Sequence, residues 1–559
     1  MARRPHACLD MFLQCLPLSV ALLALVVVAG CGSSSEPAPQ AGDPTPAASA
    51  TPAAGDTAPA GTLVLTANPA AATAPRDIWE AVLFDGEHIG HAHTVVQPTD
   101  EPDRISVDYT LSLQLQRFGD DTQPAMKVQS IQTTSGKPIS FTVETALGEQ
   151  PMTCRGQVKD GRLVLERSGM PQPQEIPLED DVLGFWGVEA NLLTRPMQPG
   201  EKRQLRALDP TLLTVMNHEL TATEYQNIEL FNTSHRLLQI DLVSRWPGRL
   251  ELKFRLWADE LGQIFKRESI GLGVQQTLIV TSQQRATGTT GKFDLGSRSV
   301  VRVSQPLTNA HALRQARYRV RLTSGDPAQV FKATPLQQVQ PIDQNRAEIV
   351  VTAPDWQQVR QAASSLPGAT VGPAPPASPD DGRDVPTPAD LQPGRLIVSD
   401  NPEIVRLAQQ AAPAEASPVD VALALERFVH RSIQQVNYKT VLGSAADVVQ
   451  RMEGDCTEHA VLLAAMARAR GIPARVAVGL VYVPSLRGFA FHMWNEVYVA
   501  DRWLPLDATL GQGGIGPAHL TLLTTNLADD ASGGDSLAAL LPVAQVMGQL
   551  EIEVLQTSP

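Results

Sequence analysis

Polar and apolar residues alternate along the first half of the chain, and the period changes in the second. Ile105, Val107, Tyr109, Leu111, Leu113 and Leu115 are separated by mostly polar neighbours, the two-residue period of a strand with one buried and one wet face. Leu250, Leu252, Phe254 and Leu256 repeat it against Glu251, Lys253 and Arg255, and Tyr318, Val320 and Leu322 against Arg317, Arg319 and Arg321. Phe84-Asp85-Gly86 and Lys159-Asp160-Gly161 punctuate such runs, because Asp and Gly tolerate the left-handed backbone of tight hairpins. Residues 77–325 therefore read as a β-rich region of antiparallel sheet, with one short helix expected around Asp209 to Asn217.

From 396 to 559 helical spacing takes over. Pro402 to Gln410, Pro418 to Gln435 and Ala445 to Met452 suit helices, and Ser417 before Pro418 supplies an N-cap with proline in the first turn. Thr457 to Arg470 is apolar at Ala460, Leu463, Ala464 and Ala467, with Gly471 and Pro473 ending the run. Strand-like segments follow, so this last region is expected to be α+β. At 559 residues the chain exceeds one ordinary core, which makes a multidomain layout the natural reading.

Two stretches carry neither period. Residues 31–76 are dominated by Pro, Ala, Thr, Ser and Gly and bury too little to offset ordering entropy, so a disordered tether is expected. Residues 326–395 read as a linker or connecting region, with a Pro-rich stretch holding Pro373, Pro375, Pro376, Pro379, Pro386, Pro388 and Pro393.

Residues 1–30 read as a targeting segment. Arg3 and Arg4 precede an apolar run, Leu16 to Ala29, that is short for a membrane span. The run closes on Val28-Ala29-Gly30-Cys31, which resembles the lipobox of bacterial lipoproteins. That resemblance implies a lipoprotein signal peptide, lipidation of Cys31 and anchoring to a membrane by acyl chains. The expected location is the cell envelope, on the periplasmic or outer-membrane side.

The net charge of −14 and the lack of any basic run exclude nucleic acid as a partner. Cys8 and Cys15 leave with the signal, so Cys154 and Cys456 are the only cysteines of the exported body besides the lipidated one. Two such distant cysteines do not make a disulfide framework. Cys154, among strand-like residues, reads as a buried small hydrophobe.

Cys456 follows Gly454-Asp455 and opens the helical run. Amide N–H groups and the helix dipole there favour a thiolate. Downstream, His492, Trp494, Glu496 and Tyr498 share one face of a strand, and a turn at Ala500-Asp501 sets Val499 opposite Arg502 and Trp494 opposite Asp507. Asp507 is then one diagonal step from His492, within side-chain reach. Spacing alone leaves Cys456 as a disulfide half, a buried apolar residue, a nucleophile, or a metal ligand with His459 and His492.

Gly454-Asp455-Cys456, the helix ending in Arg470-Gly471-Ile472-Pro473-Ala474-Arg475, His492-x-Trp494-x-Glu496-Val497, and Trp503 with Asp507-Ala508-Thr509 resemble the transglutaminase-like catalytic core, over roughly Pro402 to Leu527. The resemblance implies a papain-like arrangement with Cys456 as nucleophile, His492 as base and Asp507 orienting the imidazole. It implies acyl transfer through a thioester, to water as a peptidase or amidase or to an amine in cross-linking; hydrolysis of a protein or peptide substrate is the outcome expected here. A non-catalytic binding or assembly lipoprotein using the fold as scaffold is the alternative from another class. The Cys456 backbone N–H is the first oxyanion candidate, and no second donor is assigned. No cofactor and no metal are expected, and no acidic D-x-D-x-D-G calcium loop occurs.

Two further patterns carry less. Gly511 to Gly516 matches G-x-G-x-x-G, but Pro517 follows and no βαβ unit surrounds it, so a loop edging the cleft is expected. His88, His91 and His93 lack accompanying acids at metal spacing and read as exposed strand or turn residues.

Overall fold

The structure, a computed structural model, describes residues 73–117, 120–146, 152–167, 173–209, 214–246, 250–271, 274–288, 291–323, 325–364, 384–414, 416–433, 443–528, 546 and 548–559. The signal segment, Cys31, nearly all of the tether and Pro373, Pro375, Pro376 and Pro379 lie outside the described residues. No described helix is long and apolar enough to cross a membrane.

Alternation in the sequence becomes a large sheet. Fourteen described strands between Arg76 and Thr281 pair antiparallel in one sheet. Arg104–Leu113 buries every second residue, Ile105 to Leu113 pointing inward. The expected turns are present: Asp85 (φ 46°) with Gly86 (φ 82°), and Asp160 (φ 48°) with Gly161 (φ 71°), close hairpins in left-handed backbone. The first strand, Arg76–Phe84, lies in the middle of the sheet, between Glu87–Pro98 and Val274–Thr281. Strands step outward from Glu87–Pro98 to an edge at Gln174–Pro177, while Lys202–Asp209 forms the other edge and later strands step back inward.

The helix expected around Asp209 to Asn217 gives way to strand at both of its described ends, residues 210–213 lying outside the described residues. Thr214–Leu230 is a long strand paired with Lys202–Asp209, and Met216, His218, Leu220 and Ala222 are buried at two-residue spacing, a period that favours a strand over a helix. Beneath the short helix Gly187–Thr194, Arg267 binds Glu189 at 2.7 Å and Glu80 at 3.1 Å, all three buried. Cys154 is half-buried against the apolar interior rather than fully enclosed, and neither it nor Cys456 forms a disulfide.

The stretch 326–395 is more than connection. Gln337–Asp343 and Arg346–Thr352 make a hairpin that joins Gln315–Leu322 and Leu550–Ser558 in a four-stranded antiparallel sheet. Pairing between segments so distant in sequence leaves no local signal. This sheet is fastened to the C-terminal region: Gln337 Nε2 donates to the Thr521 carbonyl and its Oε1 accepts the Thr521 amide.

The described residues of the C-terminal region include four α-helices, α1 (Pro402–Ala411), α2 (Pro418–Ser432), α3 (Ala445–Arg451) and α4 (Cys456–Ala469). Asn401, Ser417, Ser444 and Asp455 cap them by accepting first-turn amides. Its strands are β1 (Ala474–Val483), β2 (Gly488–Val499), β3 (Arg502–Leu506) and β4 (His519–Thr525), with β1 between β2 and β4 and with β3 paired to β2. Helix α4 packs on β1 and β2 and is backed by α1, α2 and α3. Every residue from Cys456 to Arg468 is buried, as is all of β1. The apolar interior runs continuously from Ile78 to Ile552.

Candidate active site

The start of α4 is built around Asp455. Its Oδ1 accepts the Thr457 amide at 2.8 Å, while Glu458 Oε2 accepts the Asp455 amide at 3.0 Å, a reciprocal capping box. Gly454 has φ 150°, and a Cβ there would lie 2.4 Å from the Glu458 side chain, so only glycine admits this cap. Cys456 is thereby the first residue of α4, at the positive end of its dipole, and is fully buried.

His492 comes from the opposing sheet. Ala500 (φ 51°) and Asp501 (φ 61°) make the expected turn, Val499 pairs with Arg502 and Asn495 with Leu506. Continuing that register sets Trp494 against Asp507, and His492 Nε2 donates to Asp507 Oδ2 at 2.7 Å. Nδ1 has no nitrogen or oxygen partner, and the Cys456 thiol is hydrogen-bonded to this imidazole. Cysteine, histidine and aspartate thus stand in line. Burial alone would lower the His492 pKa, but the charge and hydrogen bond of Asp507, with the Cys456 sulfur, push it up to about 10. Such an imidazolium stabilises a neighbouring thiolate.

Asp507 is completely buried. Burial opposes its charge, yet His492 and His519 hold its carboxyl well below the usual range. Oδ1 accepts the amides of Thr509 at 2.9 Å and Leu510 at 3.3 Å, and Oδ2 accepts a second imidazole, His519 Nε2, at 3.0 Å. Helix α2 grips the same segment with two residues one turn apart. Glu426 Oε1 accepts the amides of Asp507 and Gly514, and His430 Nδ1 donates to the carbonyls of Ala508 and Thr509. Burial pushes the Glu426 pKa up to about 7, against the pull of those amides and aided by the Asp507 charge.

The three rings meet because the middle strand lacks a side chain between them. Gly479 of β1 pairs with His492 on one side and Thr521 on the other. A Cβ there would lie 2.0 Å from the Leu520 carbonyl and 2.9 Å from the Trp494 ring. Across this gap the His519 ring centroid lies 5.1 Å from Trp494 and 5.7 Å from His492.

Sequence reading missed His519 and Glu426. His519 opens β4 with no motif around it, and only the register of that strand brings it to Asp507. Glu426 had a faint signal, a carboxylate on the apolar stripe of α2 among Val419, Ala422, Leu423 and Val429.

The metal alternative for Cys456 is not assembled. His459 Nδ1 donates to the Asp455 carbonyl, and burial drops its pKa to about 4. Among the described residues, the potential ligand group is instead His492, Asp507 and His519. Both imidazole N–H groups there already serve Asp507 Oδ2, so a cation would have to displace the protons that hold the carboxylate. His88 donates to the Gly90 and Ala286 carbonyls, and His93 pairs with Asp77 and stacks on Trp79. These two and His91 are half-buried rather than exposed.

The glycine-rich run is a loop between β3 and β4, with Gly511, Gly513 and Gly514 at positive φ. It packs tightly: Cβ atoms on Gly511 and Gly514 would strike the His430 and Trp356 rings. The arginines of the Arg470–Arg475 motif are fasteners. Arg470 binds the carbonyls of Ala408, Ala412 and Pro413. Arg475 joins Glu496 and Asp384 while lying 3.9 Å over the Trp503 ring.

Among curated proteins none matches the chain. Similar solved structures include a proposed cysteine protease from Cytophaga hutchinsonii, at 17% identity over 44% of this chain and 85% of that one, with a TM-score of 0.27. A β-barrel-like protein of a domain of unknown function from Brucella abortus is 9% identical over 37% of this chain and 96% of its own, with a TM-score of 0.29. The periplasmic domain of TgpA from Pseudomonas aeruginosa, bound to ethylmercury, is 18% identical over 37% and 78%, with a TM-score of 0.20. Residues 405–508, a span that takes in Cys456, His492 and Asp507, match the transglutaminase-like superfamily.

Proposed function

We propose that this chain is a cell-envelope lipoprotein whose transglutaminase-like domain is a cysteine hydrolase, cleaving a peptide or amide bond through a thioester. The observation that carries the reading is the buried line from Cys456 through His492 to Asp507, with 2.7 Å between imidazole and carboxylate. The Cys456 thiolate attacks the substrate carbonyl, and His492 gives its proton to the departing amine as the C–N bond breaks. Water then attacks the thioester with His492 as base, releasing the acid and restoring the thiol. Asp507 keeps the imidazole in the tautomer with Nδ1 toward sulfur and offsets its positive charge. Because Cys456 is fully buried, the carbonyl reaches it only after a covering segment moves.

The test is turnover of a mixed peptide pool by the wild type and Cys456→Ser, read as ammonia or new amino termini, with amine incorporation in parallel. Cys456-dependent hydrolysis supports the proposal. Cys456-dependent amine incorporation without hydrolysis replaces it with cross-linking, and no turnover of any kind moves the function to a scaffold. The envelope part rests on Ala29-Gly30-Cys31. Cys31→Ser should release the protein from membranes or block its processing, and unchanged fractionation with normal cleavage would sink that part.

A further inference from the structure

We propose that His519 is a positioning residue of this site: its Nε2–H binds the same Asp507 oxygen as His492 and holds the carboxylate as an anion turned toward that imidazole. The inference rests on the reading of Cys456, His492 and Asp507 as the catalytic set.

A carboxylate without water has to be satisfied by protein donors, about four for its two oxygens. Asp507 has four: the amides of Thr509 and Leu510 on Oδ1, and the imidazoles of His492 and His519 on Oδ2. The first two come from its own turn and fix that turn. His492, from β2, is the group to be oriented, so the remaining donor from outside the turn, His519 on β4, sets which way Oδ2 faces.

The chemistry of His519 suits a donor that leaves the charge in place. Burial lowers its pKa, outweighing the hydrogen bond and charge of Asp507. A lowered pKa favours the neutral ring, whose N–H then sits on Nε2, where Asp507 accepts it, rather than on Nδ1, which faces the Gly516 backbone. The ring orients the anion without neutralising it, so the negative charge remains available to the His492 imidazolium. Register fixes the ring, with His519 beside Val481 and its ring centroid 5.8 Å from that of His311. Other titratable groups facing this cluster are Glu426 against Asp507, and Cys456 and His459 against His492, with His430 behind them.

The experiment is the pH dependence of Cys456 alkylation by iodoacetamide on the full chain, resolved from Cys154 by mass spectrometry. Wild type, His492→Ala, His519→Phe and His519→Gln are compared. Phe keeps the ring and removes the donor, while the Gln amide can place an N–H near Nε2. In His519→Phe the midpoint should rise by about one pH unit, a tenfold loss of thiolate on the acid side, and His519→Gln should recover most of it. A His519→Phe profile identical to wild type, beside a shifted His492→Ala, overturns the inference while leaving the catalytic set. A Gln variant as impaired as Phe also overturns it, because the ring rather than its donor then matters. An unshifted His492→Ala sinks the catalytic reading itself. If the His519 variants do not fold, nitrogen-15 histidine NMR of the wild type decides: a neutral His519 ring with its proton on Nε2 supports the role, and a proton on Nδ1 overturns it.

Discussion

The large sheet and the C-terminal core treat polar residues in opposite ways. In the sheet, strands have a wet face, and charges such as Arg162 with Glu175 or Arg245 with Glu219 pair across it in solvent, where each pair contributes little. In the core, α4 and β1 are buried all round, and each polar group there has to find its partner inside. Asp507, His492, His519 and Glu426 do so with one another and with nearby amides. Alternation thus tells where a sheet is, whereas a carboxylate or imidazole within a fully buried run tells where chemistry is concentrated. Against the sheet lies a comparable enclosed charge cluster, Arg267 with Glu80 and Glu189, and it serves as the control.

The largest effect should come from Asp507→Asn. It should leave thermal unfolding nearly unchanged and cut acyl-transfer turnover by about 10⁴-fold, as the equivalent change does in a serine protease. Arg267→Met in the sheet should do the reverse. Two carboxylates would be left buried without their cation, costing about 3–5 kcal/mol in urea unfolding, with the Cys456 alkylation profile unmoved. A shifted profile in Arg267→Met would break the comparison by coupling the two regions.

Glu426→Gln tests the carboxylate behind Asp507. Its folded pKa is raised to about 7, so the folded state holds a proton that the unfolded state releases at lower pH. Its contribution is present below the ordinary carboxylate range and is lost as pH rises toward and through about 7. Urea unfolding should show Glu426→Gln near wild-type stability at about pH 4 and more stable at about pH 8, by on the order of 3 kcal/mol. The smallest effect is Ser417→Ala at the cap of α2, about 1 kcal/mol by thermal unfolding, with no change in alkylation.

Much of this was legible in the chain. Asp85-Gly86 and Asp160-Gly161 have the hairpin backbone that their residue types suggest, and the alternation at Ile105–Leu113 is the burial pattern. The juxtaposition of His492 and Asp507 followed from one turn and a two-residue period. Most of what could not be read traces to pairing over long sequence distance. Leu550–Ser558 beside Gln315–Leu322 has no local signature. The approach of His519 depends on an irregularity between Val478 and Gly479 in the pairing of β1 with β4. Thr214–Leu230 was misread at its start because a short window hid its full length.

The central place of Arg76–Phe84 sets an order of assembly. As the chain emerges N-terminus first, this strand can pair at once with Glu87–Pro98, and the outward hairpins can follow as they appear. Its other edge stays open until Val274–Thr281 arrives, Trp79 meeting Thr281 and Phe84 meeting Gln276. Through that interval the nascent half-sheet exposes a row of unpaired amides and carbonyls, the hazard that edge strands carry for aggregation. Closure of the sheet is then a late, long-range event, and slow folding of this region is its kinetic signature.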